Sequence, residues 1–270
     1  MNDPLTSSLQ QLPLQDRHAL VTGGTRGIGF AIARALLQQG ARVTVAARNP
    51  LHLEQARTGL GALGQVHCLE LDVTDSRAIG AAFNAAVDHF GPISILVNNA
   101  GQAQTAPFMK TDMHMLEQML AVNLSSVLLC SQAVLPGMLE QGWGRIVNIA
   151  STAALTGYGY ASAYCASKHA VLGLTRAVAL EVASKGVTVN AVCPGFTETD
   201  LTLDAIANIV KKTGRSSAQA RSDLAANNPE GRLIQPDEVA GTVTRLCLPA
   251  ASAINGQAVP VDGGELIGGR

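Results

Sequence analysis

Residues 17–37 read RHALVTGGTRGIGFAIARALL, and this stretch decides the fold. Its first residues form a short, continuous apolar run that is typical of a buried strand, and the apolar spacing after Gly29 is typical of a helix. Four glycines lie at the junction, and three of them, Gly23, Gly27 and Gly29, form the motif. The stretch therefore predicts a strand that passes through a glycine turn directly into a helix, which is how a βαβ unit begins.

The glycine turn has the features of a phosphate site. Glycine adopts backbone angles that are closed to other residues. Its missing side chain also lets a pyrophosphate approach the amides at the helix N-terminus, where the helix dipole is positive. The spacing Gly-x-x-x-Gly-x-Gly differs from the common Gly-x-Gly-x-x-Gly fingerprint. An ordinary strand-to-helix turn is the alternative, but the position after the first strand favours a pyrophosphate site.

Apolar runs rich in β-branched residues alternate with helical patterns along the whole chain. Because the runs are continuous rather than alternating, we expect helices on both faces of a parallel sheet. Right-handed crossovers then predict one α/β domain with a doubly wound, Rossmann-like parallel sheet of seven strands. The predicted strands are 17–21, 42–46, 66–71, 93–97, 145–149, 187–192 and 257–261.

The remaining segments complete the expected domain organisation. We expect an N-terminal tail over residues 1–16 and a single domain over 17–270. A polar, helix-forming stretch over 196–232 delays the last strand. We expect this insertion to form a substrate lid, because it lies beyond the strand ends, where ligands bind in such folds.

The composition excludes several classes of protein. The 270 residues are 47% hydrophobic and 14% charged, compared with about 25% charged in average domains, and the formal net charge is -1. The Lys and Arg residues are scattered and create no basic field, so we expect no nucleic-acid partner. The five cysteines are odd in number and lack a Cys-x-x-Cys pair, which argues against a disulfide framework and a zinc site. We expect small buried thiols and no bound metal.

Two segments bear on location. The first sixteen residues lack the apolar core of a secretory signal, so we expect a cytoplasmic protein. Residues 118–139 carry no charge and are long enough to span a bilayer. Polar residues interrupt this run and Pro136-Gly137 lies near its end. A buried or partner-facing helix is the stronger interpretation, with no membrane partner.

The second predicted strand indicates which dinucleotide binds. A carboxylate about 20 residues after the glycines holds the ribose of NAD, whereas a basic residue there accommodates the 2′-phosphate of NADP. Residues 42–49 read RVTVAARN and end at Ala47 and Arg48 without an acid, and we expect Arg26 to reach the same phosphate. NADP(H) is thus favoured over NAD. The alternative is that Arg48 is a solvated loop charge.

A tyrosine and a lysine supply the candidate chemistry. Tyr164 and Lys168 are four residues apart in a helical pattern and project from one helix face. A nearby ammonium stabilises phenolate, so we expect Lys168 to lower the pKa of Tyr164 and make it a usable general acid or base. Ser151 follows the fifth predicted strand and can donate a hydrogen bond to the same substrate oxygen. The alternative is an exposed helix pair without chemistry.

The motifs together resemble the short-chain dehydrogenase/reductase family over about residues 17–264. Their order and spacing match: Thr22-Gly23-x-x-x-Gly27-Ile28-Gly29, Asn98-Asn99-Ala100-Gly101, Asn123, Ser151, Tyr164-x-x-x-Lys168 and Pro194-Gly195. The resemblance implies that Tyr164 transfers the proton and that Ser151 orients and polarises the carbonyl. Lys168 would hold the nicotinamide ribose, and Asn123 would support a water relay to Lys168. Asn98 is expected to be structural.

The resemblance also implies the cofactor contacts. These contacts are the glycine turn, Asp72 and Val73 at the adenine, and Asn99 to Gly101 along the fourth strand. Pro194, Gly195, Thr197 and Thr199 would lie at the nicotinamide and diphosphate. Asp72 as a capping residue before Ser76 is the alternative. The cofactor-binding set is Gly23, Thr25, Arg26, Gly27, Ile28, Gly29, Arg48, Asp72, Val73, Asn99, Ala100, Gly101, Tyr164, Lys168, Pro194, Gly195, Thr197 and Thr199. Hydride transfer beside the Tyr164 and Ser151 oxygens would follow.

Within the family, residues 187–199 and 231–239 are similar to 3-oxoacyl thioester reductases and polyketide ketoreductases. Carrier-protein-dependent reductases grip the carrier with two arginines, and Pro136 and Leu180 stand at those positions here. The sequence therefore predicts an NADP(H)-dependent reductase of a 3-oxoacyl thioester or similar ketone. The alternatives are an NAD-dependent dehydrogenase of a cyclic secondary alcohol or hydroxyacyl-CoA, and a nucleotide-sensing protein without turnover.

Two further expectations concern the lid and the quaternary structure. Lys211, Lys212, Arg215 and Arg221 would face a phosphate-bearing substrate such as an acyl-CoA, or else would be solvated charges on an amphipathic lid. The low-charge helices over 118–139 and 162–183 predict a homodimer or homotetramer, because large apolar faces are usually covered.

Overall fold

Seven parallel strands form one sheet in the computed structural model, which describes residues 12–267. Their order across the sheet is β3-β2-β1-β4-β5-β6-β7. The strands are β1 (His18–Thr22), β2 (Arg42–Ala47), β3 (Val66–Glu70), β4 (Ile93–Asn98), β5 (Gly144–Ile149), β6 (Val187–Pro194) and β7 (Ala258–Val261). This confirms the Rossmann-like expectation, and all seven predicted strands lie within two residues of the observed bounds.

Helices cover both faces of the sheet, and side chains cap the starts of several of them. Asn49 and Asp75 cap two of them through their side chains. The helices are α1 (Gly27–Gln38), α2 (Pro50–Gly61), α3 (Ser76–Phe90), α4 (Met113–Leu120), α5 (Ser126–Gln141), α6 (Ser162–Val182), α7 (Asp200–Thr213), α8 (Ser217–Ala225) and α9 (Pro236–Cys247).

Two apolar cores explain why the strands are continuously apolar. Val21 and Val45 point into a core shared with α1, α2 and α9, whereas the neighbouring Leu20 and Ala46 point into a core shared with α3, α5 and α6. Both sets of strand side chains are buried. A strand covered on each face needs apolar residues at every position, which is the pattern of the sequence.

The direction of strand order reverses between β1 and β4. β1 pairs with β2 on one side and with β4 on the other, and both pairings are parallel. Helices leave this point on opposite faces, so the carboxyl ends of β1 and β4 border a crevice. The glycine turn follows β1 directly and therefore lies in that crevice.

One helical stretch of the described residues, 113–141, is long and apolar enough to cross a membrane by length and composition alone. A single stretch of this kind is weak support for a membrane span, because core helices of soluble proteins pass the same test. Cys130, Val134 and Met138 of α5 are buried in the core formed with the sheet. Leu128, by contrast, is 38% exposed.

The segment predicted as a lid contains two helices, α7 and α8, joined by a short turn. Ser216 and Gln219 form a capping box that begins α8. A parallel bridge between Thr197 and Ile234 ties the two ends of the segment together. Residues 1–11 of the expected tail and 268–270 of the expected domain lie outside the described residues, and the domain boundaries stay a prediction.

All five cysteines are free thiols, as expected from their spacing. Four of them are buried, and Cys68 is half-buried. Burial raises the pKa of Cys130 and of Cys247 to about 12. These thiols are therefore small apolar core residues rather than reactive groups.

Candidate active site

The glycine turn requires glycine at each of its three motif positions. Gly23 and Gly27 have φ values of +63° and +53°, which residues with a side chain rarely adopt. A Cβ on Gly29 would lie 2.2 Å from the carbonyl oxygen of Gly23. Arg26 is the N-cap of α1, and its side chain makes no capping hydrogen bond. The first-turn amides of α1 therefore face the crevice in a cradle without side chains, which fits a pyrophosphate.

Thr22 and Asn99 join this turn to the end of β4. The Thr22 hydroxyl oxygen accepts hydrogen bonds from the backbone amides of Asn99 and Ala100, each at 3.0 Å. The Asn99 side-chain amide donates to the carbonyl oxygens of Thr22 and Gly23, also at 3.0 Å. These four bonds hold the glycine turn and the end of β4 in one fixed arrangement.

Asn98 is buried and structural, as expected. Its side-chain amide donates to Asn148 Oδ1 at 2.9 Å and to Ser131 Oγ at 3.2 Å. Asn148 in turn donates to Thr175 Oγ1 at 2.9 Å. This chain of bonds fastens β4 and β5 to α5 and to α6, the helix that carries Tyr164 and Lys168.

The adenine end of the site contains Arg48, Asp72 and Val73. Arg48 is 71% exposed at its side chain and lies 3.7 Å from Asp72 Oδ2. Asp72 also accepts hydrogen bonds from the amide and the hydroxyl of Thr74, at 2.9 and 2.7 Å. Partial burial raises the pKa of Asp72, but the bonds from Thr74 and the charge of Arg48 outweigh burial and leave the pKa below its usual value.

The capping alternative for Asp72 is wrong. Asp75, immediately before Ser76, is the N-cap of α3, and its side chain accepts hydrogen bonds from the amides of Arg77 and Ala78. Asp72 instead closes a turn with Thr74 just after β3, at the carboxyl edge of the sheet. Its position is compatible with the expected contact to adenine.

Ser151, Tyr164 and Lys168 converge at the carboxyl edge of the sheet. Ser151 follows β5, and its hydroxyl accepts a hydrogen bond from Ala153 N at 3.1 Å. Tyr164 and Lys168 lie on the first turns of α6, with Lys168 Nζ 5.9 Å from the centre of the Tyr164 ring. Lys168 is only 5% exposed, and its ammonium donates to Ile149 O at 2.8 Å. The exposed-pair alternative is therefore wrong.

The pKa values of this pair differ from the expectation. Burial raises the pKa of Tyr164, and hydrogen bonding with Ser151 opposes the rise without cancelling it. Burial lowers the pKa of Lys168 to about 8. The prediction that Lys168 lowers the pKa of Tyr164 is wrong for this structure, because the ammonium donates to Ile149 O and burial disfavours both charged forms.

Asn123 lies in a helical turn that the sequence did not predict. Residues 121–125 form a π-helical turn between α4 and α5, a feature that often marks functional sites. The Asn123 amide donates to Gln102 O and to Ser167 Oγ, both at 3.0 Å, and its oxygen accepts from Gln102 N. A Cβ on Gly101 would lie 3.2 Å from Asn123 Oδ1 and 3.5 Å from Lys168 Nζ. Asn123 and Lys168 therefore flank the same small space.

Gly195, Thr197 and Thr199 form the opposite wall. The Thr197 hydroxyl donates to Gly195 O at 3.0 Å, and Thr199 is the N-cap of α7. A Cβ on Gly27 would lie 3.2 Å from the Thr199 methyl group. The segment after Pro194 thus passes directly beside the glycine turn, and the predicted nicotinamide and diphosphate contacts belong to one continuous cleft.

Sequence reasoning missed Tyr158 and Glu265. The Tyr158 hydroxyl donates to Glu265 Oε1 and lies 2.7 Å from Thr152 Oγ1, next to Ser151. Its ring packs edge-on against Phe196, with 5.8 Å between ring centres. Burial raises the pKa of Tyr158 and of Glu265. Tyr158 could have been found from its position in the sequence between Ser151 and Tyr164. No feature of the sequence near Glu265 points to the site.

The four lid cations have unequal surroundings. Arg215 pairs with Asp223 at 2.5 Å, and Arg221 pairs with Glu198 at 2.6 Å. Lys211 and Lys212 are exposed in the last turn of α7, where the helix dipole favours positive charge. The two arginines are already neutralised, which favours the solvated-lid alternative for them and leaves the two lysines as the candidate phosphate contacts.

Taken together, the cleft can bind a dinucleotide and move a proton. The glycine turn with its two nearby cations faces the threonine-rich segment across the cleft, and a tyrosine, a serine and a lysine lie at the far end. A carbonyl oxygen between Tyr164 and Ser151 would meet two hydroxyl donors, which is the arrangement needed when negative charge develops on that oxygen.

Several known proteins are similar to this chain. A family model described as short chain dehydrogenase matches residues 17–209. A 3-oxoacyl-[acyl-carrier-protein] reductase of Vibrio cholerae is 38% identical over 251 residues, covering 93% of this chain and 98% of that protein. A D-beta-hydroxybutyrate dehydrogenase of Cupriavidus necator is 36% identical over 255 residues, with the same two coverages.

A solved structure shows the same similarity. A point variant of the actinorhodin polyketide ketoreductase, crystallised with NADPH, superimposes with a TM-score of 0.89 and 40% sequence identity. The match covers 92% of this chain and 97% of that one. The similarity therefore extends over the glycine turn, the catalytic edge and most of the lid.

Proposed function

The chain belongs to the short-chain dehydrogenase family, and from that premise we propose that it is an NADP(H)-dependent oxidoreductase that reduces a 3-oxoacyl thioester or similar ketone to a secondary alcohol. The observation that carries the proposal is the convergence of Ser151, Tyr164 and Lys168 at the end of the crevice that begins at the glycine turn. Relatives named as reductases of 3-oxoacyl groups and of polyketide ketones support the substrate class.

Tyr164 is the proposed proton donor. NADPH, when bound, supplies a hydride to the carbonyl carbon. The carbonyl oxygen then takes the phenolic proton of Tyr164, so that one hydride and one proton convert the ketone to the alcohol. A phenol is protonated at neutral pH, as a donor requires. Burial raises the pKa of Tyr164, which makes the phenol a weaker acid before substrate binds. Ser151 donates a second hydrogen bond to the same oxygen and orients it.

Lys168 and Asn123 complete the proposed proton path. The pKa of Lys168 is lowered to about 8, so its ammonium remains mostly protonated at neutral pH and yet releases a proton more readily than an exposed lysine. Its place beside Gly101 and Asn123 suits contact with a ribose and with a water molecule. Asn123 is fixed by three hydrogen bonds and is the proposed support of that water relay.

NADP(H) is the proposed cofactor. Arg26 at the glycine turn and Arg48 at the end of β2 supply positive charge at the two places where a 2′-phosphate is read, and β2 ends without a carboxylate. The NADPH in the crystal of the similar ketoreductase supports the same choice. The remaining proposed contacts are Thr25, Ile28, Asp72, Val73, Asn99, Ala100, Gly101, Pro194, Gly195, Thr197 and Thr199.

A second candidate is an NAD-dependent dehydrogenase of a secondary alcohol or hydroxyacyl-CoA. The similarity to a D-beta-hydroxybutyrate dehydrogenase favours it, and Arg48 is held by Asp72 rather than free. The direction of the reaction and the choice of cofactor distinguish the two candidates, because the same proposed catalytic residues serve either reaction.

The substrate proposal is tested by NADPH oxidation with acetoacetyl-CoA, its pantetheine analogue and a cyclic ketone. We expect turnover of both thioesters. If Lys211 and Lys212 contact the CoA phosphates, kcat/KM for the CoA ester should be about two- to fivefold higher, because exposed charge contacts are weak. Equal kcat/KM values would remove any role of the lid cations. Faster oxidation of a hydroxybutyrate-type alcohol with NAD would replace the proposal by the second candidate.

Carrier-protein recognition is not part of the proposal. Leu180 stands where the resemblance places a carrier-binding arginine, and it is 82% exposed on α6. Pro136 stands at the other position, within α5. A leucine and a proline cannot pair with an acidic carrier, which favours a free thioester.

We also propose a cytoplasmic homodimer or homotetramer. The exposed leucines Leu128 on α5 and Leu180 on α6 mark the low-charge helices that would be covered by another subunit. We expect sedimentation velocity to give a mass of two or four chains, and Leu180→Lys to shift it towards smaller species. A monomer at all protein concentrations would contradict the proposal.

A further inference from the structure

An ion pair joins the glycine turn to the lid. Arg26 Nη1 lies 2.8 Å from Asp200 Oδ2, and the two residues are 174 positions apart in the chain. Arg26 is the N-cap of α1, and Asp200 is the first residue of α7. Their side chains are 62% and 54% exposed, so solvent and ligands have access to both. The first turn of the lid therefore contacts the predicted phosphate cradle.

Asp200 places a negative charge where the proposed cofactor needs a positive one. Arg26 is one of the two cations that would bind the 2′-phosphate, and the Asp200 carboxylate already neutralises it. Within residues 12–267, Asp200 has no other side-chain hydrogen-bond partner than Arg26. A phosphate that binds Arg26 must therefore share the guanidinium with the Asp200 carboxylate or displace that carboxylate. If the two anions share the guanidinium, they lie close together and repel each other.

Arg48 is in a different situation. Its carboxylate partner Asp72 is 3.7 Å away and is held in place by two hydrogen bonds from Thr74. Asp72 therefore keeps its position whether or not Arg48 moves. Asp200 belongs to the lid, and its link to the rest of the cleft through Arg26 can be broken without loss of a buried contact.

We propose that Asp200 sets cofactor selectivity by competing with the 2′-phosphate of NADP(H) for Arg26. The inference rests on the proposed NADP(H) function and deepens it. The Asp200 carboxylate weakens the binding of NADP(H), which carries the 2′-phosphate, and leaves the binding of NAD(H), which lacks this phosphate, unchanged. Binding of the phosphorylated cofactor also frees the first turn of α7 from the glycine turn, which couples the cofactor to the lid.

The test compares the dissociation constants of NADPH and NADH by calorimetric titration for wild type and Asp200→Asn. We expect Asp200→Asn to lower the Kd for NADPH by up to about fivefold, the range of an exposed ion pair, and to leave the Kd for NADH unchanged. Titration with 2′,5′-ADP and ADP should show the same difference. Asp200→Ser is a second variant that removes the carboxylate with a smaller side chain.

Asp204→Asn is the matched control. Asp204 is exposed on α7, one helical turn beyond Asp200, and the substitution changes the net charge equally. We expect it to leave the ratio of the two Kd values unchanged. In an Arg26→Ala background, Asp200→Asn should also leave this ratio unchanged, because the contested guanidinium is gone.

Each outcome is decisive. An equal change for NADPH and NADH, an equal effect of Asp204→Asn, or a persistent effect in the Arg26→Ala background would overturn the role of Asp200. A wild type that prefers NADH would refute the proposed cofactor, yet the Asp200→Asn ratio would still test the competition. A wild type that binds neither nucleotide would overturn both.

Discussion

Tyr164→Phe is expected to reduce the rate of NADPH-dependent ketone reduction by about a thousandfold, the range for loss of a general acid. The substitution removes the phenolic oxygen and keeps the ring that packs beside Ala153, Ala161 and Cys165. No other described hydroxyl takes its place, since Ser151 donates only weakly as an acid. NADPH oxidation under saturating substrate measures the loss in kcat.

The control for this prediction is Tyr160→Phe. Tyr160 lies in the turn just before α6, is 72% exposed, and accepts a hydrogen bond from Ala106 N through its backbone carbonyl rather than its hydroxyl. We expect its kcat to stay near that of the wild type, while both variants bind NADPH with unchanged Kd. Substantial activity in Tyr164→Phe would refute the proton-donor role. If wild type and variant bind NADPH but are both inactive on every ketone, the nucleotide-sensing alternative is correct.

Gly29→Ala is expected to destabilise the protein and to abolish most NADPH binding. The new Cβ would lie 2.2 Å from Gly23 O and 2.5 Å from the side-chain amide of Asn99. Because the first of these contacts is with backbone, the glycine turn itself must move. Overpacking of this kind costs about 1–3 kcal/mol or more. A displaced turn also loses its amide contacts to phosphate, and we expect at least about a tenfold rise in Kd, or about 1.4 kcal/mol.

Gly80→Ala separates this clash from the general effect of replacing glycine in a helix. Gly80 is exposed in α3, and a Cβ there would have no neighbour within 4 Å. Alanine is the better helix former, so Gly80→Ala should raise stability by up to about 1 kcal/mol and leave NADPH binding unchanged. Urea unfolding and calorimetric titration measure both quantities. Wild-type stability and NADPH affinity in Gly29→Ala would show that the turn tolerates a side chain.

Much of the fold was predictable because its constraints are local or repeat along the chain. A strand covered by helices on both faces is apolar at every position, so all seven strands appear as short apolar runs. A turn with positive φ at Gly23 and Gly27 needs glycine, so the turn proposed as the phosphate site is also visible in the sequence.

Other parts of the site depend on packing between distant segments. The π-helical turn at Asn123 inserts an extra residue into a regular helical pattern, and no local propensity encodes it. Tyr158 and Glu265 are 107 residues apart, and only the folded chain brings Glu265 beside Gly195. The alternative that Asp72 caps α3 also failed on geometry, because Asp75 is the residue at the start of that helix.

The sequence alone determined the α/β class and the glycine turn, and it supplied the candidate catalytic residues Ser151, Tyr164 and Lys168 by residue type and spacing. Asn123 was added to that candidate set by the family resemblance. Only the tertiary structure decided the electrostatics of the set. Burial raises the pKa of Tyr164 and lowers that of Lys168, opposite to the expectation for an isolated pair. It also decided that Arg26 meets Asp200 across 174 residues. Charge interactions depend on distance and solvent exposure in space, and neither can be read from positions along the chain.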